Sequence, residues 1–237
     1  MKNKIEKKFE RFMKNRKILI FRLTIKGYEG TPKSKKCPVL NPKEKDEIKK
    51  YWDKVDIIDD DGYEEYDKSD LIKELLDNGK LRQGWGDEYD DMSLDLKPVT
   101  DDKSLKIWAK NYIKLAWRVG GERIKSCKKA CGRYELLKVM KEVGEGDIVI
   151  IPRVPDNDHF TIAMVREGYY FEKFNGFIGH GHVIDVYNDK DRLKKFKYGK
   201  NGIFRKTFMS KRHAVDEIRR YHKIYPKIKK FIETHYL

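Results

Sequence analysis

Residues 144–174, GEGDIVIIPRVPDNDHFTIAMVREGYYFEKF, carry the strongest structural signal in this chain. Apolar, β-branched and aromatic runs alternate here with turns of glycine, proline and aspartate, a pattern typical of successive strands in an antiparallel sheet. HGHVIDVYN, residues 180–188, predicts one more strand, and ILIFRLTI, residues 18–25, predicts an earlier one. The pattern indicates a small curved sheet or a partly open barrel.

Helices are predicted in the stretch between the first strand and the others. Residues 44–54 place Ile48, Tyr51 and Trp52 on one helical face. Ser69 is the expected cap of a second helix, which stops at Gly79. Thr100 or Asp101 is the expected cap of a third, longer helix, which contains Trp108 and Trp117 on its apolar stripe.

The C-terminal part predicts a basic helix that is interrupted near Pro226. The order of strand, helices, strands and helix indicates an α+β fold. We therefore expect one domain over residues 1–237, with an acidic insert at about 43–79 and a basic helical tail at about 205–237.

The net charge of +15 is distributed unevenly along the chain. Lys and Arg exceed Asp and Glu by 11 over residues 1–43 and by 12 over residues 190–237, whereas acidic residues exceed basic ones by 12 over residues 44–102. Clustered cations favour a polyanionic partner, because binding releases condensed counterions. A lysine-rich surface that is merely solvated is the alternative. The cations expected to contact a nucleic-acid backbone are Lys17, Arg22, Arg153, Arg205, Lys206, Lys211 and Arg212.

Other features narrow the class of protein. The apolar runs are strand-sized, and the lysine-rich start lacks the apolar stretch of a secretory signal, so we expect no membrane partner. An odd number of cysteines, three, predicts no disulfide framework and favours the reducing cytoplasm. No glycine-rich phosphate loop follows a strand, which argues against a nucleotide-hydrolysing domain.

A metal-dependent nuclease is the enzymatic alternative. It requires one acid and then an acid-x-Lys pair on an adjacent strand. Asp147, or Asp156 or Asp158, could be the first acid, but Glu172 and Lys173 are neighbours and point to opposite faces of a strand. The sequence therefore favours a protein that is not an enzyme.

A zinc site is a second alternative. Cys127 and Cys131 could be combined with His180 and His182. The four-residue step of the cysteines suits one face of a helix, whereas the usual knuckle is Cys-x-x-Cys in a turn. Two buried helical thiols are the preferred interpretation, and neither a metal nor a cofactor is predicted.

LRQGWG, residues 81–86, places an indole between two glycines. Such an indole can offer an open aromatic face, and a nucleobase taken out of its stack is held by faces of this kind. Gln83 could bind the polar edge of the base and Arg82 a phosphate. Trp108 and one of Tyr169 and Tyr170 are also candidates for the core.

In order, ILIFRLTI, LRQGWG, a helix with Trp108, GDIVIIPRVP, FTIAMVREGYYF and GHGHVIDV resemble the EVE and YTH-like branch of the PUA-like superfamily. They resemble in particular the DNA-reading modules of modification-dependent restriction systems of the McrB and Mrr kinds. The resemblance covers about residues 17–190. The insert and the basic tail are outside the family pattern.

The resemblance implies a curved sheet whose concave side accepts a flipped, modified base, such as a methylated one. The residues that it implies for the base pocket are Arg82, Gln83, Gly84, Trp85, Trp108, Phe160, Tyr169 and Tyr170. A non-catalytic DNA-binding module of a host-defence system is the function expected, with a nuclease or NTPase subunit as a possible partner. Binding of modified RNA remains open, because nothing in the sequence reports on the 2′-hydroxyl.

Overall fold

A computed structural model of the chain describes residues 9–23, 37–57, 68–84, 88–89, 91–124, 127–172, 180–199, 203–210 and 215–236. The strands assigned there are β1 (Ile18–Phe21), β2 (Lys80–Gln83), β3 (Glu88–Tyr89), β4 (Met92–Ser93), β5 (Ile148–Pro152), β6 (His159–Phe171), β7 (His182–Val186), β8 (Leu193–Lys197) and β9 (Val215–Glu217). The helices are α1 (Pro42–Lys54), α2 (Lys68–Asn78), α3 (Asp102–Gly120), α4 (Cys127–Leu137), α5 (Ile203–Ser210) and α6 (Tyr225–His235), and Lys138–Glu142 form a 3₁₀ turn. The α+β class is confirmed.

Seven strands form one mixed sheet in the order β2-β7-β6-β5-β1-β9, and β8 pairs with β6 beside this path. β1 and β5 are parallel, with Ile18 opposite Ile148, whereas the other pairs in this sheet are antiparallel. In the described residues the sheet is not closed, since β2 and β9 are its two edges. The sequence predicted an antiparallel sheet, but the long helical stretch between β1 and β5 is the kind of crossover connection that joins parallel strands.

The central strands are apolar on both faces because helices cover both faces of the sheet. In β1, Leu19 and Phe21 pack into one core cluster, while Ile18 and Ile20 pack into another. β5 alternates in the same way. Strands buried on two sides read as continuous apolar runs, which explains the sequences ILIF and IVII.

The first face of the sheet carries α1, α2, α3 and α4. Ile48 of α1, Leu75 of α2 and Trp108 of α3 all belong to its core cluster. The predicted cap of α3 is confirmed at Asp101, whose carboxylate accepts a hydrogen bond from Ser104 N. α1 begins with a capping box in which Asn41 and Glu44 bond each other's backbone N–H groups. Both insert helices are therefore packed on the core.

The second face of the sheet carries a helical turn at residues 9–12, together with α5 and α6. Phe9, Phe208 of α5 and Ile232 of α6 pack with Phe160 of β6. Rings from β8, α5 and α6 surround Phe160, with centroid distances of 5.5–5.9 Å to Phe196, Phe204, Phe208 and Phe231. This cluster attaches the C-terminal helices to the sheet.

Three local predictions were wrong. The segment around Gly168 is not a turn between strands, because β6 continues through it with irregular register against β7. A Cβ at Gly168 would collide with the carbonyl of Val143, so glycine permits this close approach. α2 begins at Lys68, so Ser69 lies inside it. Pro226 lies in the first turn of α6, where proline fits, and residues before it form β9.

Candidate nucleic-acid interface

The two basic ends of the chain meet at one edge of the sheet. β1 and β9 pair antiparallel, with Leu19 opposite Glu217 and Phe21 opposite Val215. Ile218 N donates a further hydrogen bond of 2.7 Å to Ile18 O. The pairing places the residues before β1 next to the residues after β9.

Two adjoining depressions beside this strand pair share Met13, Arg220 and Tyr225, and we call them together the basic groove. Their cavity volumes are about 380 and 250 Å³. Two carboxylates, those of Glu10 and Glu217, line the groove. The cations that line it are Lys14, Arg16, Lys17, Arg219, Arg220 and Lys229.

Half of these cations have acidic partners. Lys17 Nζ lies 3.4 Å from Glu142, Arg219 Nε lies 3.3 Å from Glu217, and Lys229 Nζ lies 3.6 Å from Glu233. Within the described part of the chain, no carboxylate lies within 4.0 Å of the charged groups of the other three, Lys14, Arg16 and Arg220. The groove therefore has a surplus of positive charge that an anion can neutralise.

Apolar and backbone groups complete the groove. The side chains of Phe9, Met13 and Tyr225 line it between the cations. α6 begins at Tyr225, so the positive end of its helix dipole lies at the groove. A further depression of about 290 Å³ lies next to this helix start, lined by Lys206, Thr207, Lys223, Ile224 and Lys227.

Arg82, the predicted phosphate contact, is buried instead, with 1% of its surface exposed. Its guanidinium donates to Glu74 Oε2 at 2.7 Å and also to Glu172. Lys80 Nζ lies 2.8 Å from the same Glu172. We call these four residues the Arg82 cluster. Two positive and two negative charges balance within it, so the prediction that Arg82 contacts a phosphate is wrong.

The neighbouring residues of the LRQGWG stretch are partly described. The side chain of Gln83 is buried, and its amide donates to the carbonyl of Arg22, so it does not face a ligand edge. Gly84 is half-buried at the end of β2. Trp85 lies outside the described residues, and the prediction of an open indole there stays a prediction.

Trp108 and Phe160 do not form a common pocket. Trp108 packs in the core of the first face, 2% exposed, and its indole N–H donates to Leu94 O. Phe160 is 1% exposed in the core of the second face. The sheet separates the two rings, and neither can stack on a base. The core interpretation replaces the pocket prediction for both.

Tyr169 and Tyr170 point to opposite sides of β6. The hydroxyl of buried Tyr169 donates to Asp95 Oδ1, accepts from Leu96 N and lies 3.0 Å from His182 Nδ1. Burial raises the pKa of Tyr169. The hydroxyl of half-buried Tyr170 donates to Asp185 at 2.8 Å, and burial together with this bond raises the pKa of Tyr170. Both hydroxyls thus have structural partners.

Of the predicted backbone contacts, Lys17 lies in the basic groove and Lys206 in the neighbouring depression. Arg153 and Arg205 are exposed, and Arg205 Nη1 lies 3.8 Å from Asp158. Arg22 lies directly after β1, outside the groove lining. Lys211 and Arg212 lie outside the described residues.

The sequence prediction missed Lys14, Arg16, Arg219, Arg220 and Lys229 as members of one surface. The excess of basic residues at both chain ends was the available signal. Their convergence depends on the β1–β9 pair, which no local pattern indicates.

The acid suggested for a nuclease and the histidine suggested for a zinc site both have structural roles. Asp147 accepts hydrogen bonds from the backbone N–H groups of Lys17 and Gly144, a structural role at the start of β5. His182 is buried beside Tyr169. In the described ranges, the three cysteines alone form a group of potential metal ligands. The histidines are not part of it.

Comparisons of the chain with protein-family models, curated proteins and solved structures find no match. None of the helices in the described residues is long and apolar enough to cross a bilayer. The PUA-like assignment accordingly stays a prediction.

Proposed function

We propose that this protein binds nucleic acid and that the basic groove contacts the phosphate backbone. The observation that carries the proposal is the convergence of cations from both chain ends, Lys14 and Arg16 on one side and Arg220 on the other, on a single concave surface. Cations held close together gain most from counterion release on a polyanion.

The groups that line the groove suit the successive phosphates of a nucleic acid better than a single carboxylate or a partner with a flat surface. Phosphate contacts come from Lys and Arg side chains and from helix N-termini, and both kinds of group lie here. The adjacent depression with Lys206, Lys223 and Lys227 extends the positive surface past the start of α6. Such a surface can follow several phosphates along one strand.

The test is the salt dependence of binding to a duplex of mixed sequence. The variant Lys14→Ala/Arg220→Ala removes two exposed cations of the groove. We expect the slope of log K against log salt to become shallower by about 1.8 on DNA, because each lost phosphate contact contributes about 0.9. Fluorescence anisotropy at several salt concentrations measures the slope.

A charge-matched control is Lys45→Ala/Lys49→Ala, which removes two exposed cations from α1 on the other face of the sheet. This control should keep the wild-type slope. Equal losses in the two variants would show that only the total charge matters, and the proposed interface would then be wrong. Matched RNA and DNA duplexes in the same assay decide which nucleic acid is preferred.

Recognition of a modified base is a finer part of the proposal and depends on Trp85. In that proposal the groove holds the backbone while the indole stacks on an extruded base. The chain would then supply specificity to a modification-dependent restriction system, with cleavage on another subunit. The resemblance of LRQGWG to DNA-reading modules supports this part.

A further inference from the structure

All three cysteines of the chain meet at one place on the first face of the sheet. Their sulfur atoms lie within 4.8 Å of one another. Cys127 and Cys131 are one helical turn apart at the start of α4, whereas Cys37 comes from the segment before α1, 94 residues before Cys131. Cys37 and Cys131 are paired as a disulfide, and Cys127 is free. The sequence prediction of no disulfide framework missed this convergence.

A disulfide needs only two cysteines, so it does not explain why the third sulfur, that of Cys127, lies at the same place. Cys127 is partly buried and faces the pair without being joined to it. A zinc ion with bonds of about 2.3 Å to sulfur holds neighbouring thiolates about 3.8 Å apart. The three sulfurs come from two chain segments and lie within 4.8 Å of one another, so reduction of the Cys37–Cys131 disulfide gives three thiols that can reach this spacing and match the donor set of a thiophilic cation.

We propose that, in the reduced protein, Cys37, Cys127 and Cys131 bind one Zn²⁺ through three thiolates, with the fourth position open to water or a small ligand. Starting from the disulfide, a thiol or phosphine reductant supplies two electrons, and two protons complete the Cys37 and Cys131 thiols. Three thiols then bind Zn²⁺ and release three protons to solvent, which leaves a complex of net charge −1.

The charged groups that act on Cys127 are Lys106 and Glu44. Burial raises the pKa of the Cys127 thiol, Glu44 adds to this and Lys106 of α3 opposes it, so the bound cation itself must deprotonate the thiol. The Lys106 ammonium lies 2.8 Å from Glu44 of the α1 capping box, so Lys106 is held between helix and site. A bound ion joins the segment that leads into α1 to the start of α4. The site thus has a structural consequence, because the bound ion connects α1 to α4 within the helical layer on the first face.

The experiment uses the full chain, reduced by a phosphine under anaerobic conditions. Zinc is titrated in competition with a chromophoric chelator, and Co²⁺ is used as the spectroscopic probe. We expect one Zn²⁺ per chain and a thiolate-to-cobalt charge-transfer band. Cys127→Ser should weaken zinc binding by about 100-fold or more, since even the loss of an outer hydrogen-bond partner of a ligand costs about 10–100-fold.

His235→Ala is the matched control, because His235 is exposed on α6 and is the kind of side chain that binds zinc adventitiously. It should leave the affinity and the band unchanged. If Cys127→Ser does not fold, alkylation of the wild-type chain with iodoacetamide, counted by mass, gives the same answer. Zinc should protect three thiols in the native protein. Absence of the band, unchanged binding by Cys127→Ser, or no protection would overturn the proposal.

Discussion

The Arg82 cluster and the basic groove are both built around arginine in a strongly basic chain, but their charges are used differently. Arg82 is 1% exposed and lies between Glu74 and Glu172, with Lys80 alongside. Arg220 is exposed in a concave surface, where cations outnumber carboxylates. One arrangement is balanced internally, and the other has charge left for a partner.

The difference shows that the number of cations in a stretch does not locate a nucleic-acid interface. A charge taken out of water requires a nearby counter-charge, so a buried arginine becomes part of the structure. An exposed cation in a groove keeps its hydration until a polyanion displaces it. Stability and affinity should therefore respond to different arginines.

The largest effect is expected for Arg82→Ala. It removes the guanidinium from the mostly buried Glu74, whereas the one-third-exposed Glu172 keeps Lys80, so we expect a loss of about 3 kcal/mol, the lower end of the cost of breaking a buried pair. Urea unfolding measures the loss. Arg220→Ala, the exposed counterpart, should change the free energy of unfolding by less than about 0.5 kcal/mol. Similar losses for the two arginines would remove the distinction between cluster and groove.

Trp85→Ala tests whether base recognition is separate from the groove. Stacking on an aromatic ring contributes about 1–3 kcal/mol per base, so the preference for methylated over plain DNA should fall by about 5- to 150-fold. The salt slope on plain DNA should stay at the wild-type value, because the groove is intact. Equal weakening on both DNAs, or none on either, would contradict a reading role for this indole.

Asn41→Ala removes the cap of α1, on the face opposite the groove. The lost bond to Glu44 N, 2.9 Å in the wild type, should cost about 1 kcal/mol in thermal or urea unfolding. DNA affinity should not change. Lys45→Ala, an exposed substitution in the same helix, is the control and should be close to neutral. A change in affinity from Asn41→Ala would connect α1 to the interface.

The smallest effect is expected for Glu172→Gln, because the side chain of Glu172 is 34% exposed and Arg82 keeps its two hydrogen bonds to Glu74. Burial alone would raise the pKa of Glu172, but hydrogen bonds from Lys80 and Arg82 and the charges of both hold it below its usual value. The stabilisation is therefore present above the unfolded-state pKa, about 4.3, and is lost as the pH falls through the lower folded-state pKa. Urea midpoints between pH 6 and pH 3 should fall more steeply for the wild type than for the variant. Parallel curves would show that Glu172 gains nothing from the cluster.

Local features of the fold were predictable because their causes lie within a few residues. Asp101 has the short carboxylate that suits an N-cap. Gly79 follows α2 with a φ of 72°, as expected for a glycine that ends a helix. The apolar runs of β1 and β5 also identified strands. The irregular course of β6 past Gly168 escaped prediction, because it depends on the 3₁₀ turn packed against it.

The groupings of side chains, including the basic groove, were less predictable, because their members are distant in sequence. Arg82 meets Glu172 across 90 residues, and nothing in LRQGWG indicates that meeting. Trp108 and Phe160 both looked like possible cage rings, yet the sheet lies between them. Aromatic residues carry the same local signal in a core as at an open surface, so only burial distinguishes the two.

The order of amino acids alone indicated strands β1, β5, β6 and β7, the Asp101 cap, the end of α2 at Gly79 and the concentration of positive charge at both chain ends, because each depends on neighbouring residues or on composition. The tertiary structure alone decided which cations are balanced and which remain available. The physical reason is that electrostatic pairing depends on distance in space, and the β1–β9 pair and the two core layers set those distances.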